Sequence, residues 1–226
     1  MNIFKLFIIC AVAAVLLVPG SQFISAQISP SPTNGDDYLV GTPGIDKVDA
    51  GNGDDQIWGM GGNDDLQGGN GDDHVVGGTG KDVLKGGNEN DSLSGGDGDD
   101  SMNGGNGNDK MTGDKGNDIL DAGDGNDILD GDDGNDTLNG QNHNDFLFGG
   151  KGNDKLSGGN NDDVLDGGAG ADTLLGLNNN DILFAGRDTV KDTLDGGGGN
   201  DTCYGLPNDT FKNCESKINI NTGLPI

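Results

Sequence analysis

An apolar residue recurs at every ninth position from Val48 to Leu183, and between successive apolar positions the chain is almost entirely glycine, aspartate and asparagine. The stretch Gly41 to Phe184 is 144 residues long and divides into sixteen nonapeptides without a gap. In register it reads Gly-Gly-x-Gly-x-Asp-x-apolar-x. Gly68 to Val76 and Gly149 to Ser157 are clean copies. The sixth position is Asp in all sixteen copies, and the eighth is always Val, Ile, Leu or Met. The register extends back to Asp37 and Leu39. After a two-residue insertion it extends forward to Asp192 and Leu194, then to Asp201 and Cys203. The triplet x-apolar-x predicts a short strand with one side chain turned inward. The six residues Gly-Gly-x-Gly-x-Asp predict a turn, with glycine where the backbone needs positive φ or close approach.

This nonapeptide resembles that of the RTX, or haemolysin-type, calcium-binding proteins, over about three quarters of the chain, a repeat already recognised as the signature of a calcium-binding parallel β-helix. The resemblance implies an all-β fold, a right-handed parallel β-roll (β-solenoid) with two nonapeptides per coil. Repeats n and n+2 then stack in one parallel sheet, and n+1 lies in the other. The eighth-position side chains meet between the sheets as a thin core. The sixth-position carboxylates line the two edges beside carbonyls of the glycine-rich turns. Carboxylate and carbonyl oxygens suit Ca2+, a hard cation that takes six to eight oxygens in flexible geometry. The expected ligands are Asp37, Asp46, Asp55, Asp64, Asp73, Asp82, Asp91, Asp100, Asp109, Asp118, Asp127, Asp136, Asp145, Asp154, Asp163, Asp172, Asp181, Asp192 and Asp201. If each same-edge pair of turns holds one ion, these nineteen turns offer at most about 17 sites.

Composition alone points elsewhere: 46 glycines and 31% hydrophobic residues are poor material for an ordinary core and read as a disordered tract. Low-complexity drift does not hold a period of nine with a fixed Asp and a fixed apolar residue. Order is therefore expected with calcium and disorder without it, because stacked carboxylates repel when nothing bridges them. The formal net charge of −27 argues against nucleic-acid binding and for cations. Seventeen divalent ions would more than cancel that charge, so some sites are expected to be weak or empty. Glu89 and His143 replace the fourth-position glycine and predict distorted turns; Asn161 and Asn179, at the same position, visit left-handed conformations more readily. The insertion at 187–191 predicts a local break in the ladder.

Four segments follow. Residues 1–26 read as a signal peptide, with Lys5, the apolar run Leu6 to Val18, the breaker Pro19-Gly20 and the small-residue site Ile24-Ser25-Ala26. An uncleaved anchor is the alternative. Residues 27–34 form a Ser/Pro-rich linker. Residues 35–204 carry about nineteen repeats, and 205–226 form a cap and tail. The expected location is secreted, extracellular or held at a cell surface. Two cysteines in an exported chain suggest a Cys203–Cys214 disulfide over the open end of the core, as repeat stacks need terminal caps. A free thiol pair or metal binding is the alternative. The segment from Asp201 to Glu215 also resembles the closing segment of secreted haemolysin-type proteins.

Sorting outward positions by repeat parity gives two unlike faces. One carries Tyr38, Val40, Trp58, Val76, Ile128, Phe146, Phe148, Val164, Ile182 and Phe184; the other carries Val83, Ile119 and Leu175 among polar residues. The first is either a by-product of β-propensity or a contact face for a second copy, a cell surface or a glycan, anchored by Trp58, Phe146, Phe148 and Phe184. No Ser/His/Asp order, zinc motif or nucleotide loop occurs, and a non-enzymatic role is expected. In RTX proteins, catalytic and pore-forming domains sit outside the repeats, and neither the linker nor the tail is long enough for one. A calcium-folded structural or adhesive module is the leading reading. The alternatives are an ice- or polysaccharide-binding solenoid, and a non-catalytic remnant of an RTX toxin or protease. Ice binding would want a regular Thr or Asn line, and the outward strand positions are irregular.

Overall fold

Each nonapeptide supplies one strand, and each strand pairs with that of the repeat two along. The computed structural model describes residues 32–225. The expected signal peptide and residues 27–31 of the linker lie outside them. Strand His74–Thr79 pairs in parallel with Gln56–Gly61 on one side and Ser92–Asp97 on the other. Residue partners are eighteen apart (His74 with Gln56, Val75 with Ile57), so two nonapeptides make one coil. Odd-numbered strands form an 11-stranded sheet and even-numbered strands a 10-stranded sheet. The fold is the parallel β-solenoid implied by the resemblance.

Strands are longer than the triplet predicted. Most span six residues, as in Val83–Asn88, and continue through the first three positions of the next repeat. The turn shrinks to three residues, such as Gly80-Lys81-Asp82. Within a strand the alternation therefore runs apolar inward, ninth position outward, then the first-position glycine inward. That glycine adds no side chain, so the core is one apolar side chain per repeat. Leu66, Leu84, Leu120, Leu138 and Leu156 fill it from one sheet, and Ile57, Val75, Leu93, Leu129 and Leu147 from the other. Ala50, Ala122 and Ala185 are buried where alanine takes the first position.

Two expected irregularities are absent. Glu89 (φ 73°) and His143 (φ 76°) adopt the left-handed conformation that glycine takes elsewhere, and so do Asn161 and Asn179. The stacking bonds beside them are ordinary: the Asp91 N–H donates to Asp109 Oδ1 at 2.8 Å and the Asp145 N–H to Asp163 Oδ1 at 2.8 Å. Pairing on both sides overrides local preference, and the strain stays in the residue at roughly 1–2 kcal/mol. The insertion interrupts the ladder only locally: the strand before it, Ile182–Phe184, stops after three residues and its pairing with both neighbours ends at Phe184. The insertion lies in the turn after that strand, while Thr173–Asn178 and Thr193–Gly198 pair in register past it.

The sheets run on beyond Tyr204. Thr210–Lys212 and Ser216–Asn219 add one strand to each, and Phe211 packs on the core. A disulfide joins Cys203 and Cys214, with 5.9 Å between Cα atoms. Both sulfurs belong to the buried cluster, so the bridge closes the last coil over its core.

The core predicts a concrete cost. Leu129→Ala removes a fully buried side chain with no second layer to collapse into the gap. It should lower the stability of the calcium-saturated protein by about 2–5 kcal/mol, whereas outward Ser157→Ala should stay within about 0.5 kcal/mol. Equal melting of the two variants would count against a core one side chain thick.

Candidate metal centres along the two edges

The sixth-position aspartate ends the turn and is the inward residue that precedes each strand. Every one from Asp46 to Asp201 is buried, with 0–3% of its surface exposed. Burying an unpaired carboxylate is strongly unfavourable, so its partners decide what the site does. One oxygen has a partner from the fold. The N–H of each aspartate donates to Oδ1 of the aspartate one coil on: Asp55 to Asp73 at 2.8 Å, Asp73 to Asp91 at 2.8 Å, Asp91 to Asp109 at 2.8 Å. The opposite edge repeats this from Asp64 to Asp82 at 2.8 Å and Asp82 to Asp100 at 2.7 Å.

The other oxygen is bare. Oδ2 is buried and lacks a hydrogen-bond partner in Asp55, Asp64 and every later sixth-position aspartate through Asp181, and in Asp201. It lies over the first-position glycine of its own repeat, facing a carbonyl of the next coil. A Cβ placed on Gly77 would sit 2.5 Å from Asp82 Oδ2 and 2.6 Å from the Gly95 carbonyl oxygen. A Cβ on Gly131 would sit 2.5 Å from both Asp136 Oδ2 and the Gly149 carbonyl. Glycine thus leaves the space in which carboxylate and carbonyl oxygens converge. Among the described residues no three His, Cys, Asp or Glu side chains gather at one point. Any ion held here must draw on backbone carbonyls, and an all-oxygen set of that kind fits a hard cation such as Ca2+.

Electrostatics agree. Burial, reinforced by neighbouring carboxylates in each column, pushes Asp91 and Asp145 up to about 8. Asp118, Asp172 and Asp181 are pushed to about 7 by the same causes, and Asp163 to about 7 by burial with Asp162 beside it. The backbone N–H on Oδ1 opposes the rise without cancelling it. At neutral pH the columns are short of positive charge.

The ends of the columns differ. Asp37 Oδ2 accepts the Thr33 N–H at 2.6 Å, and its Oδ1 accepts the Thr33 hydroxyl at 3.1 Å. Asp46 Oδ2 accepts the Thr42 N–H at 2.6 Å, leaving Oδ1 bare. These threonines supply the donors that an aspartate N–H of the neighbouring coil supplies elsewhere, and Asp37, with both oxygens bonded, is the weakest of the nineteen ligand candidates. At the other end Asp209 Oδ1 accepts the Asp192 N–H at 3.2 Å, and Glu215 Oε2 accepts the Asp201 N–H at 2.7 Å. Both continue the columns and both escaped the nine-residue count, because they follow at 17 and 14 residues instead of eighteen. Asp209-Thr210-Phe211 does keep the Asp-x-apolar triplet, which was the available signal. Asp188, in the insertion, accepts the Gly170 N–H on Oδ2 at 2.6 Å, where elsewhere a backbone carbonyl serves.

Two exposed lines run outside the carboxylates. Fifth-position side chains clip successive turns, as when the Asn108 N–H donates to Asn90 Oδ1 at 2.8 Å and the Asn126 N–H to Asn108 Oδ1 at 2.9 Å. Third-position asparagines do the same: Asn70 Nδ2 donates to Asn52 Oδ1 at 2.7 Å and Asn88 Nδ2 to Asn70 Oδ1 at 2.6 Å. A regular asparagine line therefore exists at the C-terminal ends of the strands of the 10-stranded sheet, away from the seventh and ninth positions. Four exposed ion pairs (Lys47–Asp65, Lys81–Asp99, Lys115–Asp97, Lys151–Asp133) add little.

The family model for the RTX calcium-binding nonapeptide repeat matches the chain in overlapping stretches covering 32–189 and again over 191–209. No curated protein matches it significantly.

The raised carboxyl values fix the sign of a pH effect. A carboxyl whose folded pKa exceeds its unfolded value near 3.9 takes up a proton on folding. Its contribution is present at low pH and lost as pH rises through the folded values, here about 6 to about 8. The chelated chain should gain strand signal in circular dichroism as pH falls from about 8 to about 5, whereas the calcium midpoint should move to higher concentration because protons compete. A chelated chain indifferent to pH over that range would contradict the bare-oxygen account. Separately, Gly131→Ala fills the space between Asp136 Oδ2 and the Gly149 carbonyl, and should remove one ion from the calcium stoichiometry measured by calorimetry.

Proposed function

The chain belongs to the RTX calcium-binding nonapeptide-repeat family, and from that premise we propose that it is a secreted, non-enzymatic protein folded by calcium, acting as an extracellular structural or adhesive module. The observation that carries this is the pair of columns of buried, unpartnered Oδ2 atoms facing glycine carbonyls. Ca2+ bound there supplies the positive charge and the oxygen coordination that the columns lack. The protein's own part is to align carboxylates coil upon coil, to fix one oxygen of each by a backbone N–H, and to keep side chains out of the space beside the other. We assign the sixth-position aspartates as ligands, with Asp209 and Glu215 completing the last sites.

The adhesive reading rests on the 11-stranded sheet. Tyr38 and Trp58 lie with ring centroids 4.7 Å apart at one end of its outer face. Phe146 and Phe148 are 47% and 38% exposed toward the other, well beyond the exposure of core residues. This face is a contact surface for a second copy or a cell-surface partner. A second reading, ice binding, gains support from the asparagine line at the strand ends, whose members repeat at the strand spacing of roughly 4.8 Å. Thermal hysteresis of the calcium-loaded protein tests it.

The primary experiment is far-UV circular dichroism across a calcium titration with chelator reversal. The expected result is coil without calcium, parallel strand with it, a cooperative transition between them, and little response to Mg2+, which dehydrates reluctantly and demands tight octahedral geometry. Full strand content after exhaustive chelation would overturn the proposal. For the contact face, Trp58→Ser with Phe148→Ser should abolish self-association or surface retention and leave the calcium titration unchanged. Unaltered retention would remove the adhesive part alone.

A further inference from the structure

The insertion and the C-terminal segment change the outer face of the 11-stranded sheet at one place. Along most of that face the ninth-position side chains form an open column. Near its end the column reads Phe148, Asp166, Phe184, Tyr204, Ile218, each in register with the next. Asp166 is the short polar member, set between two phenylalanines. Beside it runs a trough floored by Gly168 and Gly186, where no side chain rises. Arg187, the first residue of the insertion, lines it as well, and so do Asn219, Ile220 and Gly223 of the C-terminal segment. The result is a cleft of about 580 Å3, within the roughly 300–1,000 Å3 typical of small-molecule sites.

The lining is specific in chemistry. Phe184 and Tyr204 are stacked, with centroids 4.7 Å apart and planes 16° from parallel, and form an apolar wall. Around it stand an acceptor (Asp166), a donor fork (Arg187) and an amide that both donates and accepts (Asn219). Arg187 makes no salt bridge among the described residues, so its fork is available to a ligand. Carboxylate and guanidinium together leave the cleft with little net charge, which disfavours a strongly ionic ligand. An apolar wall with a rim of mixed donors and acceptors matches a molecule whose ring face is C–H and whose edge is hydroxyl.

We propose that this cleft binds a neutral pyranose unit of a glycan, its C–H face on Phe184 and Tyr204 and its hydroxyls on Asp166, Arg187 and Asn219. The proposal rests on the adhesive reading above and gives that reading a ligand class. None of the cleft's groups is needed for the calcium columns, which lie along the edges of the roll.

Saturation-transfer NMR on the calcium-loaded full chain tests it. The probes are the methyl pyranosides of glucose, galactose and mannose and the corresponding disaccharides. At least one should bind with a Kd of about 1 mM or tighter, with transfer strongest to the C–H protons of one ring face. Arg187→Ala and Asp166→Asn should each weaken that binding at least tenfold, and Phe184→Ser should abolish it. Ile119→Ser, on the opposite sheet, should leave it unchanged. Arg187 is exposed, so the first variant reports on binding even if Phe184→Ser fails to fold. Absence of binding by every probe at about 10 mM, or binding indifferent to Arg187→Ala and Asp166→Asn, overturns the proposal. Either result leaves the calcium titration and the Trp58/Phe148 retention assay standing as separate tests of the adhesive module.

Discussion

One hydrogen bond, repeated along each edge, sets the terms for the rest of the molecule: the N–H of one sixth-position aspartate to Oδ1 of the next. It explains how a carboxylate can be buried in every repeat. It also explains why folding by hydrogen bonds alone is incomplete. A carboxylate held by one oxygen is charged only at a cost, which is why its pKa rises, and it turns the second oxygen toward the interior, where nothing among the described residues answers it. The cost of that arrangement is multiplied along two columns, and the core opposing it is a single file of aliphatic side chains. An ordinary domain of this length sets a far thicker interior against its conformational entropy. On the proposed reading, cations carry part of what a core carries elsewhere, which makes ion binding and folding one event.

The same constraint accounts for what the sequence made legible. Period nine, the invariant Asp and the invariant apolar position marked turn, strand and core positions, and the family resemblance added two repeats per coil and hence the sheet partners, so all of these stood before any coordinates. What could not be read was set by neighbours instead of by the repeat. Strands extend to six residues because the first-position glycine is an inward strand residue, a role that its φ freedom conceals. Glu89 and His143 keep regular turns because the coils above and below dictate their φ. Thr33 and Thr42 at one end, and Asp209 and Glu215 at the other, supply the partners that a neighbouring sixth-position aspartate supplies elsewhere, and they do so at spacings a periodic count passes over.

Glycine has two separable roles in this fold. In the fourth position it permits the left-handed turn and keeps clear of the preceding coil's carbonyl, yet four other residues hold the same conformation there. In the first position the requirement is spatial. The missing Cβ is the room in which the bare carboxylate oxygen and the facing carbonyl meet. Alanine does occupy the first position at Ala50, Ala122 and Ala185, fully buried.

Because the edges are committed to cations and the interior to one file of leucines, the strand faces are what this architecture leaves free to vary. The 10-stranded sheet remains mostly polar, with Lys, Asp, Ser and Asn pointing outward. The 11-stranded sheet collects aromatic rings at its two ends, and near one of them the insertion turns a flat strip into a cleft. An extra pair of residues within a strict repeat would be expected to weaken the stack. Here Asp188 keeps the turn bonded, and the Asp172 N–H still reaches Asp192 Oδ1 at 2.9 Å across the enlarged loop. The departure from periodicity is thus absorbed at the edge and expressed on the face, and it is there that recognition chemistry can be added without disturbing the columns that hold the coils together.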